Sequence, residues 1–312
     1  MSEFSLIYTH FKHLTPLHPN TLLGIGDDGA VSQIPPNHQL VSCIDTLVAG
    51  RHFPQSTAAY AIGYKSVTVN LSDLASMGAT PYAILLGLSL PNDLAKDDNW
   101  IKQFTRGIAD ICGQFNVDLI GGDTTKSDIL TISVTALGFV PNGQAITRSG
   151  AKVGDIVCVS GEIGSASFAL QHVLKGEKSD LQHTLDLPVP QVKLGQKLLG
   201  FAHSMIDISD GLGQDLGHIL TASNVGAVID LTKIPTHLLL KNLPNAEKWQ
   251  HQLNGGDDYQ LCLTLPKDKF EQFNQRYPNQ IIAIGEIVTE KGLTLIYNEK
   301  KVDVTIQGYQ HF

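Results

Sequence analysis

The sequence predicts an α/β protein, with some α+β character, built as two domains, and three observations carry that expectation. The chain has 312 residues, more than one domain of ordinary size holds. Both halves alternate short apolar runs with longer stretches of helical periodicity. Between them, residues 146–155 are polar and contain glycine, which puts a boundary there and gives units of residues 1–148 and 149–312.

In the first half, residues 40–44 read as a strand ending at Asp45, and residues 58–77 as a helix with small residues on one face. Asp97 and Asp98 cap a helix whose Trp100, Ile101, Phe104, Ile108, Ile111 and Phe115 recur at helical spacing. Residues 117–120 read as a strand followed by Gly121-Gly122. Residues 129–140 form a longer one, closed by the turn Pro141-Asn142-Gly143. The second half offers strands at residues 155–159, 205–208, 227–231, 259–265, 281–284 and 293–297. Helices fall at residues 165–174, at 191–201, and from the end of Ser209-Asp210-Gly211 to about residue 223.

Composition narrows the function classes. Hydrophobic residues make up 42% and charged residues 17%, enough apolar mass for real cores. The net charge of −8, without a Lys/Arg cluster, argues against a nucleic-acid partner. Cys43, Cys112, Cys158 and Cys262 are far apart and form no CxxC pair, so reduced and mostly buried thiols are expected. The N-terminal residues lack a basic start followed by an apolar core, and the longest apolar run, residues 82–90, is too short for a membrane span. A cytoplasmic protein is the expectation.

The informative residues are aspartates set between apolar runs and glycines. They occur in GIGDDGAV (24–31), at Asp45 at the end of LVSCID, at Asp73 in NLSDLA, at Asp123 after Ile120-Gly121-Gly122, in MIDISDG (205–211) and in GGDD (255–258). Burying a carboxylate is costly unless it is compensated, and basic residues near these motifs are few. Divalent metal ions would compensate them. Magnesium takes oxygen ligands, usually one or two carboxylates with waters and substrate phosphates, and glycine lets a phosphate approach the main chain. Each motif taken singly reads equally well as a turn or a helix cap. Six sharing one grammar point instead to metal-assisted phosphoryl transfer. There is no G-x-x-x-x-G-K-[ST] loop, no protein-kinase motif set and no G-x-S-x-G elbow, and Gly161-Glu162-Ile163-Gly164 lacks the following lysine.

Seven strings in order, GIGDDGAV, DTLVAGRHF, NLSDLASMGATP, LIGGDTT, ITRSGAKVGD, IDISDGLGQDLGHI and GGDDYQL, resemble bacterial thiamine-monophosphate kinases. That family lies in the superfamily of aminoimidazole ribonucleotide synthetase and selenophosphate synthetase. The resemblance implies an N-terminal α/β domain pairing with its twin in a homodimer, and a C-terminal α/β domain behind it. It implies ATP and thiamine monophosphate as substrates, several Mg²⁺ ions, and formation of thiamine diphosphate, the last step of that biosynthesis. It also implies roles. Asp28, Asp45, Asp73, Asp123, Asp207 and Asp210 would be metal ligands, with Ile44 contributing through its backbone. Gly122, Asp123, Arg148 and Ser209 would contact ATP. His52, Asp257 and Tyr309 would contact the thiamine phosphate. No side chain acts as a general base in this scheme, because the acceptor phosphate is already ionised and catalysis is alignment with charge neutralisation.

Three positions depart from the family pattern: Cys43-Ile44 stands where Ser-Thr is usual, Asp257 where Glu is usual, and Tyr309 where Trp is usual. A selenophosphate synthetase would carry a reactive cysteine in an N-terminal glycine-rich loop, whereas the earliest cysteine here is Cys43. An aminoimidazole ribonucleotide synthetase would have GGET in place of GGDTT. A non-catalytic nucleotide or metal sensor is the rival of another class, disfavoured by the full acidic set.

Overall fold

The computed structural model describes residues 3–15 and 17–308. The chain forms two compact units, residues 1–74 with 79–143, and residues 75–78 with 144–312.

The first unit holds α1 (Glu3–His10), β1 (Thr21–Leu23), β2 (Val31–Ser32), β3 (His38–Val48), α2 (Ala59–Ser76, its last two residues in the other unit), β4 (Thr80–Leu90), α3 (Asp98–Phe115), β5 (Asp118–Lys126) and β6 (Thr131–Pro141). Its main sheet has the order β3-β6-β4-β5, with β4 and β5 parallel and the other pairs antiparallel. Every residue from 61 to 72 in α2 is buried. Its contact with α3 is made at glycines. A Cβ at Gly63 would stand 2.0 Å from the Phe104 carbonyl oxygen, and one at Gly107 2.1 Å from that of Tyr60. Here the small residues expected on one face of this helix let the two backbones touch. Asp97 caps α3 as expected, accepting from the Trp100 N–H at 3.0 Å.

The second unit holds β7 (Ile156–Val159), α4 (Ser165–Leu174), α5 (Gln182–Asp186), α6 (Val192–Lys197), β8 (Ser204–Asp207), α7 (Leu212–Ser223), β9 (Gly226–Asp230), α8 (Leu238–Lys241), α9 (Asn245–Asn254), β10 (Leu261–Leu265), α10 (Lys267–Arg276), β11 (Ile282–Val288), β12 (Gly292–Tyr297) and β13 (Lys300–Val302). They build a seven-stranded sheet in the order β13-β12-β9-β11-β7-β10-β8, in which only β9 and β12 pair in parallel. The main core joins Val157, Val159, Ile206, Ile229 and Ile284 of this sheet to Leu212, Leu216 and Ile219 of α7. A smaller cluster, Ala166, Ala169, Leu181, Leu185 and Leu240, ties α4, α5 and α8 together. Among the described residues no helix is long and apolar enough to cross a membrane.

Two strand ends differ from the sequence reading. Asp45 lies in the middle of β3, because the alternation of Cys43, Asp45 and Leu47 on one face continues to Val48. Gly121 and Gly122 do not stop β5 either. The register slips there, with Ile84 opposite Leu119 but Leu85 opposite Gly121, so the strand takes up one extra residue as a bulge and continues to Lys126.

Candidate functional site

The first unit shapes a cavity around its acidic loop. Residues 24–30 join β1 to β2, and with α1, β4 and β5 they enclose about 490 Å³. The lining includes the apolar Ile7, Phe11, Leu85 and Leu119 together with Asp27, Asp28, Gly122 and Asp123. Both loop acids and Asp123 are exposed, and the Asp28 N–H donates to Asp27 Oδ1 at 2.8 Å. No Lys or Arg is among the described lining residues. Just after α1, Lys12 reaches the loop: its ammonium would stand 3.6 Å from a Cβ at Gly26. At Gly122 the backbone has φ +152°, and a Cβ would meet the Leu86 carbonyl oxygen at 2.0 Å. Only glycine lets the main chain press onto β4 here and deliver Asp123 to the cavity.

A second group in this unit gathers at Cys43. Burial pushes its thiol well up, and the Asp73 and Asp45 carboxylates beside it push it further. Both predicted acids therefore sit at one spot, half-buried, one from α2 and one from β3. Asn70 holds the β3 side of this group. Its Oδ1 accepts the Asp45 N–H at 3.0 Å, its Nδ2 donates to the Ser66 carbonyl at 3.1 Å, and its own carbonyl accepts from Cys43 Sγ at 3.4 Å. Ile44 stands on the opposite face of β3, with its side chain 63% exposed. Ile44→Thr is accordingly expected to leave the Mg²⁺ midpoint of ADP formation almost unchanged, whereas Asp45→Asn should raise it by more than about tenfold. A magnesium titration of the two variants checks this, and equal shifts would contradict it.

His52 follows the strand in a tight turn. Its N–H donates to the Val48 carbonyl at 3.0 Å and its Nδ1 accepts the Val48 N–H at 3.0 Å. An accepting Nδ1 leaves the neutral ring with its proton on Nε2, a donor suited to an anionic or carbonyl partner.

In the second unit, Asp207 ends β8 and is buried, while Ser209 and Asp210 follow it half-buried. This loop interlocks with the Gly255–Gln260 segment. The Asp257 N–H donates to the Ser209 carbonyl at 2.9 Å, the Tyr259 N–H to that of Ile208 at 2.9 Å, and the Ile208 N–H to that of Gln260 at 2.7 Å. A Cβ at Gly256 would stand 2.0 Å from the Ser209 oxygen. Asp257 and Tyr259 both take positive φ, 69° and 48°, and the Tyr259 hydroxyl donates to Asp257 Oδ1 at 3.0 Å. The segments that carry the predicted Asp207, Ser209, Asp210 and Asp257 thus interlock into one surface of this unit, with Asp207 buried beneath it.

Two buried acids support that surface. Asp258 accepts from the Gly164 N–H at 2.6 Å and the Ala166 N–H at 3.3 Å at the start of α4, and burial pushes its carboxyl up to about 7. The N–H groups of Gly164 and Ala166 are therefore taken up by an internal carboxyl where a phosphate loop would carry a nucleotide. Asp215 does the same for the N–H groups of Ser209, Asp210 and Gly211. Arg148 is exposed, and its carbonyl accepts from Ser223 Oγ at 3.3 Å. Tyr309 lies outside the described residues. Among the described residues no three His, Cys, Asp or Glu side chains close around a single point as a metal cage.

Comparison with known proteins places this geometry in a family. The AIR synthase related protein N-terminal domain matches residues 26–140, and the corresponding C-terminal domain matches residues 152–298. Thiamine-monophosphate kinase of Haemophilus influenzae is 39% identical over 326 residues, covering 100% of this chain and 98% of the relative. The chain belongs to the thiamine-monophosphate kinase family. The crystal structure of the Stenotrophomonas maltophilia K279a member superposes with a TM-score of 0.83 at 40% identity, covering 89% of this chain and 92% of that one. AaThiL complexed with AMPPCP and TMP superposes with a TM-score of 0.78 at 30% identity, covering 92% of each chain.

The sequence motifs include Asp27, Asn70, Asp215 and Asp258 without giving them a role; the structure places Asp27 and Asn70 in the two acidic groups of the first unit, and Asp215 and Asp258 behind the loops of the second. Asp27 was legible from its place beside Asp28. Asp215 had the signature of an acid in the first turn of a helix, four residues after Gly211. Asn70 and Asp258 act on backbone distant in sequence, so their partners leave no local signal.

Proposed function

We propose that this chain transfers the γ-phosphoryl group of ATP to thiamine monophosphate, forming thiamine diphosphate and ADP. The observation that carries the reading is the cavity of the first unit. It combines apolar walls from α1, β4 and β5, suited to a flat base, with Asp27, Asp28 and Asp123 beside the Gly122 main chain, suited to a triphosphate with its cations. The relatives' names and the AMPPCP and TMP held by AaThiL support the same pair of substrates.

The donor set fits Mg²⁺: exposed carboxylate oxygens at Asp28 and Asp123, half-buried ones at Asp45 and Asp73, and Asp207 with Asp210 in the other unit. When bound, magnesium would supply charge neutralisation for the triphosphate and the acceptor phosphate. The chain's own residues do the rest. The glycine at position 122 brings main chain to the phosphates, and Arg148 offers a planar guanidinium fork to phosphate oxygens. Ser209 offers a hydroxyl to the nucleotide. His52, through its Nε2–H, and the Asp257 region, with Tyr309, meet the thiamine phosphate. An acceptor oxygen that is already ionised attacks the γ-phosphorus directly, the bond to the β-γ bridging oxygen breaks, and ADP departs. No covalent phospho-enzyme is formed.

The proposal includes a homodimer. Leu40 and Ile44 of β3 are 46% and 63% exposed on the sheet face away from Cys43 and Asp45, and Leu85 and Leu137 are only partly covered. A second copy laid on this face would remove apolar surface from water. Use of ATP and a phosphorylated vitamin accords with a cytoplasmic enzyme. The test of the function is ADP release from ATP and Mg²⁺ with thiamine monophosphate as acceptor.

A further inference from the structure

The Ser209-Asp210-Gly211 turn has an unusual arrangement for a segment proposed to face a nucleotide. Three successive N–H groups converge on a single oxygen, Asp215 Oδ2, at 3.0, 3.0 and 3.1 Å. Successive N–H groups of this kind make a concavity that binds anions, and in many proteins a phosphate fills it. Here the anion is part of the chain. Asp215 is only 2% exposed, so no solvent competes for these bonds. The neighbouring residue of the same helical turn reaches the other side of the loop, Gln214 Nε2 donating to Asp210 Oδ2 at 3.1 Å. Behind the loop, the Ser209 carbonyl is held by the Asp257 N–H.

We propose that Asp215 is a positioning residue for the phosphate-side loop. Its carboxylate fills the main-chain anion site of residues 209–211, so the loop presents the side chains of Asp207, Ser209 and Asp210, and not its N–H groups, to the metal-bound nucleotide. The inference deepens the kinase reading and rests on it. It assigns a job to an acid that touches no reactant. It also explains why a turn so suited to phosphate is bordered by further acids. With the N–H groups already satisfied, the nucleotide is met here through side chains and the cations they hold, and not through the main chain.

The test uses the full chain and two readouts that need no turnover: amide hydrogen exchange at residues 209–211, and the affinity for Mn²⁺ paired with AMPPCP, followed by electron paramagnetic resonance. In Asp215→Ala the three amides should exchange faster and Mn²⁺ affinity should fall about 10- to 100-fold, the usual cost of losing a residue that orients metal ligands. Formate, added as a free carboxylate, should refill the vacated anion site, slow exchange at the same amides and restore part of the affinity. Asp215→Asn keeps one acceptor oxygen and should show smaller changes in both readouts; it decides the matter if the alanine variant does not fold. Wild-type Mn²⁺ affinity in a folded variant overturns the proposal. So does a loss of affinity with unchanged exchange at residues 209–211, because the charge and not the held loop would then be responsible. Failure of the wild-type protein to bind Mn²⁺ with AMPPCP would instead strike the kinase reading itself.

Discussion

Asp28→Asn and Asp207→Asn are each expected to reduce ADP formation by more than about 100-fold while leaving the metal-free protein folded. The two acids stand in different units, so a shared structural defect would not explain a shared loss. Their surroundings give different stability expectations. Asp28 is exposed on the 24–30 loop, and its replacement should change stability by less than about 0.5 kcal/mol. Asp207 is 4% exposed and adds its charge to that of Asp210 beside the buried Asp215. Replacing it by the neutral amide removes like-charge repulsion, so the metal-free variant should melt at or above the wild-type temperature. Melting curves without metal, read beside ADP assays at saturating Mg²⁺, check both statements. A large drop in melting temperature for either variant would make that acid a structural one.

The second large effect belongs to Gly122→Ala. The added Cβ would meet the Leu86 carbonyl oxygen at 2.0 Å, and the φ of +152° is one that alanine rarely adopts. Neither contact partner is a flexible side chain, so the β4–β5 pairing has to open locally. A cost of about 1–3 kcal/mol follows, or roughly 5 °C in melting temperature for a unit of this size. The same opening displaces Asp123 from the cavity, so the KM for ATP should rise as well. Gly121→Ala is the control. Its Cβ would meet only Leu85 Cδ2, at 3.1 Å, which can move aside. If Gly122→Ala is as stable and as active as Gly121→Ala, the close approach of β5 to β4 does not matter for the site.

The outcome for individual elements shows what sequence patterns carry. Helix α3 was legible because one apolar stripe and one capping aspartate both point to the same start and face. Strand β4 was noticed only as an apolar run. Seven of its eleven residues are buried, residues 81–84 in succession, so the start of the run gives no alternation to separate a strand from a core helix. Strand β5 was cut short because paired glycines normally punctuate, whereas here they make a bulge inside the ladder. The acids were legible as a set through their shared setting between glycines and apolar runs, but their burial was not. Asp28 and Asp123 are exposed, Asp45 and Asp73 half-buried, and Asp207 buried. Burial depends on what folds over each loop, which local sequence does not encode. For the same reason the role of Asp258 is not legible in its GGDD motif, since the N–H groups it holds are 94 and 92 residues away.

The central claim is that the acid-lined site accepts a phosphorylated thiamine and joins it to the γ-phosphoryl group of ATP. The most direct measurement is ADP release by the purified protein with ATP and Mg²⁺, comparing thiamine monophosphate with free thiamine, and identifying the product chromatographically. The expected result is thiamine diphosphate formed stoichiometrically with ADP from the monophosphate, and little turnover of free thiamine, which lacks the phosphate that the cations and His52 would anchor. No ADP release with either acceptor from folded protein at saturating Mg²⁺, or equal turnover of both, would contradict the account.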